Sequence, residues 1–447
     1  MSGFYYFYET ITIMQSRLIV KNFGPIKFVD LDLRNVNVFI GPQASGKSAL
    51  AKLYTIFKAP RKFLKNGNAE KNLKVFKEVL EEYNIASFLK EDSEIEFYSP
   101  LHDLTYKNDI ITFEPKLSDE IQEIEKLKND IPININRIRE SFIKIRPVIG
   151  INYLEVIDIL GGYNDTENPM ADTDSAVFVN LNLEKFTEIL DVLKKTEINL
   201  TTNTVLYIPS ERNFSNIIKY AALTLLTNNA PIPKHILLFG AELEKTAVKE
   251  IKLDFLQKNL IYKSINGQDK IFTDSENSIK LSEAASGIQS ALPILMPVIS
   301  HDPDSYQRSF VIEEPELNLF PVAQYELIKL LEATRESKFD GESRTIHTYT
   351  THSPYILAAF NNLLYAFKVS SHWNTKRIKH ENIRLISPAK KIVEVDINPD
   401  TFSAFQISNG NAESIFDREK GLIIDNYIDD VSDEMGDDFD ALTRLML

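Results

Sequence analysis

The sequence predicts an α/β fold interrupted by a mainly helical insertion, and three observations lead there. The apolar run 36–40 leads into Gly41-Pro42-Gln43-Ala44-Ser45-Gly46-Lys47-Ser48 and then into a helical pattern over 49–57. Two later apolar runs, 309–312 and 345–349, end in polar residues and are each followed by a helical pattern, which is the alternation of a strand–helix sheet. Between about 65 and 200 the texture changes to amphipathic helical spacing.

Taken in order, residues 1–15 read as a short extension, and 17–23, 26–33 and 35–40 as strands, the first two joined by a Gly24-Pro25 turn. The pattern 71–83 is a helix with Leu73, Phe76, Val79, Leu80 and Tyr83 on one face. Short strands are expected at 94–98 and 109–113, helices at 119–129, 137–145, 151–160 and 181–193, and a loop at 161–174. A strand at 203–208 ends in Pro209-Ser210-Glu211-Arg212-Asn213, either a site segment at a strand end or a surface turn with a solvated ion pair. Helices follow at 217–226 and 240–259, then a hairpin of 260–265 and 270–272 around Asn266-Gly267, closed by 278–281. The helix after Ser286 contains Pro293 and Pro297, which imply a kink or an early stop. Further on, 322–333 and 355–361 read as helices, 363–369, 383–385, 392–395 and 405–407 as strands, and the region around 421–431 as a helix before the acidic run 429–440. The expected division is 1–64 and 201–370 as two parts of one core, 65–200 as the insertion, and 371–447 as its completion with an acidic tail.

The 447 residues carry a formal charge of -14 and no cysteine. Disulfides and thiolate metal sites are therefore excluded, and a cytoplasmic setting is expected. Acidity disfavours nucleic-acid binding over the whole surface, although Arg61, Lys62, Lys65, Arg137, Arg139, Lys144, Arg146, Lys376, Arg377 and Lys379 offer a local basic track against the plainer reading of scattered solvated charge. No apolar run reaches membrane-spanning length, and the first residues do not read as a signal peptide.

The strand–turn–helix at 36–57 carries the chemistry. Backbone N–H groups of Gly41, Pro42's successors Gln43, Ala44, Ser45 and Gly46 cradle phosphates, Lys47 reaches the β- and γ-phosphates, and Ser48 ligates Mg²⁺. ATP hydrolysis further needs a metal-holding carboxylate, a general base and a γ-phosphate sensor. The strand 309–312 runs into Glu313, the candidate metal ligand, and Glu314, the candidate base. His352, after the next strand, is the candidate sensor. Ser286, Gly287 and Gln289 precede or open a helix and form a second anion site; with one cradle already present, it would serve ATP held by another copy, head to tail.

These motifs resemble the ABC-type ATPase head, with a mixed central sheet, shared by chromosome-maintenance and double-strand-break-repair (SMC- and Rad50-like) ATPases. The resemblance is closer to AAA-family proteins with such heads in overcoming-lysogenization-defect (OLD) nucleases and phage defence. It is carried by 18–33 with Asn22-Phe23-Gly24-Pro25-Ile26, by Gly41–Ser48 as Walker A, and by 207–212. It continues in 281–289 as a degenerate signature, 310–314 as Walker B, 316–321 as the D-loop region and 350–354 as the switch loop. Glu313 stands where the wider superfamily usually has Asp, and Asn318 and Phe320 where many relatives have His.

No strand-borne Asp-x-Asp is visible after His352, so a nuclease in the same chain is not expected. The resemblance then implies an oligomeric sensor or scaffold that uses ATP and Mg²⁺ and restrains a separate toxin or Toprim-like effector until a phage protein releases it. The ATPase subunits of PARIS-type systems (the AriA family) are the nearest kind. The competing expectations are a DNA-maintenance ATPase, stimulated by DNA, and a nucleotide-binding scaffold without useful hydrolysis.

Overall fold

The computed structural model describes residues 15–60, 69–100, 102–116, 205–214, 232–246, 248–274, 277–301, 308–335, 345–375, 395–424 and scattered positions beyond 425. The helices expected within 119–193 and at 217–226 and the strand at 383–385 lie outside the described residues, as does the strand expected at 392–395 except for Val395.

The alternating N-terminal segments pair as β1 (Ser16–Phe23) and β2 (Ile26–Leu33), antiparallel, and the wholly buried β3 (Val36–Ile40) leads into helix α1 (Lys47–Lys58). Helix α2 (Ala69–Glu82) follows, then β4 (Glu94–Tyr98), β5 (His102–Lys107) and β6 (Ile110–Pro115), which extend the sheet beyond β1. Strand β5 escapes sequence reading because two of its inward positions are His102 and Tyr106, polar-edged residues that bury their rings alongside Leu104. The core resumes with β7 (Val205–Ile208) and α3 (Lys234–Lys245).

A small four-stranded sheet follows, formed by β8 (Glu250–Lys252), β9 (Ile261–Ile265), β10 (Gln268–Phe272) and β11 (Ser278–Lys280). Asn266 and Gly267 turn its hairpin with φ of 51° and 76°, as a two-residue type I′ connection requires. The helix expected over 240–259 instead ends at Lys245, because Ile251 and Leu253 alternate into the core at strand spacing.

Helix α4 (Ser286–Ile299) runs through both prolines; each removes one backbone donor, but Pro293, Pro297, Leu292, Ile294, Leu295 and Val298 are all buried, and packing outweighs the missing bonds. Strand β12 (Ser309–Glu313), α5 (Pro321–Ala333), β13 (Ile346–Thr350) and α6 (Pro354–Thr375) complete two strand–helix units. The strand expected at 363–369 is the continuation of α6: buried Ile356, Phe360, Leu363 and Leu364 recur at helical spacing without a breaker. Last come β14 (Phe402–Ser408), β15 (Asn411–Ser414), and the pair β16 (Phe416–Asp417) and β17 (Leu422–Ile423), the last replacing the start of the helix expected around 421–431.

Among the described residues the main sheet has eleven strands in the order β6-β5-β4-β1-β2-β15-β14-β3-β13-β12-β7. From β14 to β7 all neighbours are parallel, whereas β6 to β2 are antiparallel, so the sheet is mixed as expected. Alternation splits its side chains between two cores. Val36, Val38, Ile40, Leu206, Ile208, Phe310 and Ile312 face α4, α5 and α6. Phe39, Tyr207 and Val311 face α1 and α2. Five parallel strands thus end along one edge of the sheet, which is where α/β folds gather ligand-binding residues.

Candidate nucleotide site

The Gly41–Ser48 loop leaves the end of β3 beside its neighbour β14. Gly41 has φ +144°, and a Cβ there would stand 2.1 Å from the carbonyl oxygen of Ile407, so only glycine permits this exit. Ala44 (φ 60°) and Gly46 (φ 106°) continue in left-handed conformations up to the first turn of α1, a backbone shape that turns N–H groups inward. Lys47 Nζ donates to the carbonyls of Gly41 and Pro42, both at 2.8 Å. Burial pushes its amine down to about 8, with the charges of Glu314, Glu316 and Glu313 opposing. Ser48, in the same turn, is exposed.

Glu313 ends β12 on the α1 side of the sheet and is buried. Burial pushes its carboxyl up; nearby Tyr207, Lys52 and Ser48 pull it part of the way back. Among the described residues its Oε1 and the Tyr207 hydroxyl are buried and make no hydrogen bond of full geometry, although the Tyr207 and Ser48 hydroxyls lie near enough to pull on the carboxylate. A buried carboxylate oxygen left over beside the Ser48 hydroxyl suits a hard divalent cation, whose remaining ligands would come from phosphate and water. Among the described residues no cluster of three or more acidic or histidine side chains could hold a metal by itself.

Glu314 reverses the alternation. Its φ is +43°, a strained value for a residue with a Cβ, while its N–H donates to Thr350 O at 2.9 Å. This brings two sequence-adjacent carboxylates to one edge. Thr351 Oγ1 and His352 N both donate to Glu316 Oε1, at 2.9 and 2.8 Å, fixing the loop after β13. His352 Nε2 lies 3.7 Å from Glu314 Oε1. Burial and the Lys47 charge hold its imidazole below the ordinary histidine value.

Arg212 is fully buried, which rules out a surface turn with a solvated ion pair there. Its guanidinium donates to the carbonyls of Glu313 (2.7 Å), Glu314 (2.8 Å), Ser290 (2.8 Å) and Pro209 (3.2 Å). Burial pushes it down to about 10, and the surrounding glutamates oppose. Neither this clamp nor the Glu316 bracket was assigned a role from sequence; the Pro-Ser-Glu-Arg run after an apolar strand was the available signal.

Ser286, exposed, opens α4. Gly287 passes so close to the turn after Glu316 that a Cβ would meet Asn318 O at 2.8 Å. Gln289 folds back, its amide donating to Ala284 O at 2.8 Å. These residues sit on a different element from the phosphate loop. The basic track drawn from 61, 62, 65, 137–146 and 376–379 lies outside the described residues. No helix among the described residues is long and apolar enough to cross a membrane.

A family model described as "AAA ATPase domain" matches residues 14–357. A comparison with curated protein sequences finds no match. Among solved structures, the chain is similar to the SMC head domain from Thermotoga maritima, at 11% identity and TM-score 0.36 over 90% of this chain and 98% of that one. It is similar also to the Smc head domain with an extended coiled coil bound to the C-terminal domain of ScpA derived from Pyrococcus furiosus (10%, TM-score 0.35, 91% and 97%). A third is the recombination mediator protein RecF-ATPrS (13%, TM-score 0.31, 90% and 98%).

Proposed function

Because the chain belongs to the AAA ATPase domain family, we propose that it is a Mg²⁺-dependent ATPase in which Gly41–Ser48 of one copy grips ATP and Ser286 and Gly287 of a second copy, head to tail, close over it. One observation carries this reading: the ends of adjacent parallel strands β3, β13 and β12 bring Lys47, His352, Glu313 and Glu314 to one edge. The exposed Phe320 and Val322 beside Asn318 give the self-association an apolar component.

On ATP binding, Lys47 exchanges the Gly41 and Pro42 carbonyls for phosphate oxygens. Ser48 and Glu313 would hold Mg²⁺, which would neutralise charge developing on the phosphates. Glu314 accepts a proton from water as its oxygen attacks the γ-phosphorus and the bond to the β–γ bridging oxygen breaks. His352, neutral, orients the same water or the γ-phosphate.

For the setting, the resemblance of 18–33, 207–212 and 310–354 to OLD-type heads supports a cytoplasmic sensor or scaffold in anti-phage defence, similar to the AriA-type subunits, restraining a separate effector until a phage trigger releases it. The same elements resemble SMC- and Rad50-like heads, which makes DNA maintenance the second reading. Measuring phosphate release by the full chain with Mg²⁺ or EDTA, with and without double-stranded DNA, separates them. The ATPase reading expects Mg²⁺-dependent turnover and is overturned by its absence. DNA stimulation favours the second setting, whereas indifference to DNA together with recovery of a co-expressed neighbouring effector favours the first.

A further inference from the structure

Arg212 is a buried cation whose hydrogen-bond acceptors among the described residues are all backbone carbonyls. Two belong to the adjacent residues Glu313 and Glu314, one to Ser290 in the second turn of α4, and one to Pro209 in its own turn. A guanidinium serves such a site where an ammonium does not, because its planar fork reaches acceptors in several fixed directions at once. Removing an arginine from water without a bonded carboxylate is unfavourable unless the surrounding field compensates. Here that field comes from Glu316, Glu314, Glu313 and Glu211.

Ser290 is a second meeting point. Its buried hydroxyl accepts from Asn213 Nδ2 at 2.9 Å and from Asn318 Nδ2 at 2.8 Å. The residue that gives its carbonyl to Arg212 therefore also ties α4 to the turn carrying Asn318, against which Gly287 is packed without room for a Cβ. Displacing α4 must move the backbone of Glu314, the turn at Asn318, or both.

We propose that Arg212 is a positioning residue that keeps Glu314 in its left-handed conformation and, through Ser290, makes that conformation depend on the placement of α4. This rests on the ATPase reading above and deepens it: engagement of the Ser286 end of α4 by a second copy sets the competence of the neighbouring general base.

The test uses the full chain with Arg212→Lys, which keeps the charge but not the fork, and Ser290→Ala, which keeps the carbonyl but removes the Asn213 and Asn318 acceptor. ATP Kd, KM, kcat, thermal midpoint and turnover per copy across protein concentration are measured. Arg212→Lys is expected to lower kcat roughly a hundredfold, the scale of a misplaced catalytic group, with ATP Kd unchanged. Ser290→Ala is expected to bind ATP and self-associate like the parent while losing the rise of turnover per copy with concentration. If Arg212→Lys does not fold, Ser290→Ala decides alone. Parental kcat and concentration dependence in folded variants overturn the inference while leaving the ATPase reading standing. So does a fall of kcat and thermal midpoint together with a rise in Kd, the mark of a mere staple. A parent without ATP turnover overturns both.

Discussion

Glu314 Oε1 and His352 Nε2 face each other across 3.7 Å from the ends of adjacent parallel strands. The gap is too long for a direct hydrogen bond, and burial with the Lys47 charge keeps the imidazole uncharged at neutral pH. The carboxylate thus remains available to a water. Glu314→Gln should lower ATP turnover by about 10²–10⁴-fold while nucleotide binding, followed by fluorescence titration, persists and self-association with ATP strengthens. His352→Ala should lose about 10²-fold. Unimpaired turnover in Glu314→Gln would favour a scaffold without useful hydrolysis.

If Lys47 grips ATP as proposed, it gives ATP binding a pH limit. Without nucleotide its amine sits at about 8, because burial outweighs the nearby glutamates. The cation is present below that value and lost above it, so ATP affinity should weaken as pH rises through 8, measured by titration calorimetry. The fold responds oppositely: the unfolded chain holds this proton up to about 10.4, so this lysine's contribution to stability rises between the two values. Lys47→Ala should abolish the pH step in affinity.

Gly41 and Gly287 separate two kinds of damage. Gly41→Ala places a Cβ against Ile407 O at a left-handed φ and should cost about 1–3 kcal/mol, lowering the thermal midpoint together with ATP binding. Gly287→Ala strikes Asn318 O instead; ATP binding to the isolated chain should survive, while ATP-induced self-association by light scattering weakens.

Glu332 sets an acid limit on the fold. It is buried with Arg335, which bonds it at 2.7 Å, and with His347 and Tyr349. Burial alone would raise its carboxyl, but Arg335 and His347 outweigh burial and hold it at about 2. Its folded value lies below the unfolded value of about 4.3, so its stabilisation is complete above the latter and is lost as pH falls towards the former. Denaturant midpoints should fall more steeply across that window in the parent than in Glu332→Gln, which keeps the other lowered carboxyls at Asp30, Glu94, Asp109 and Asp417. That variant should be destabilised at neutral pH by about 1–3 kcal/mol, since Arg335, His347 and Tyr349 lose their buried charged partner.

Much of the placement of the candidate residues was legible because its signals are local. Gly41–Ser48 sits between a strand and a helix, and Glu313 and His352 each follow a short apolar run, so spacing alone placed them on one edge. The conformation of Glu314 was not legible, because nothing in Ile-Glu-Glu-Pro announces a left-handed residue. Arg212 was ambiguous for a different reason: its partners at 290, 313 and 314 are distant in sequence, and an arginine beside a glutamate looks the same in a solvated turn. Apolar segments failed where two periods fit. Residues 363–369 satisfy a strand as readily as a helix until Ile356 and Phe360 are seen on the same buried face.

The position of β14 bears on synthesis. The strand that delivers Gly41 lies between β13 and β14, and Gly41 packs against Ile407, more than 360 residues later in the chain. A nascent polypeptide has long since extruded its first strands when that last neighbour emerges from the ribosome. The backbone wall against Gly41 is therefore completed only after more than 360 further residues have been made, and a truncated product ending before β14 carries the motif without that wall.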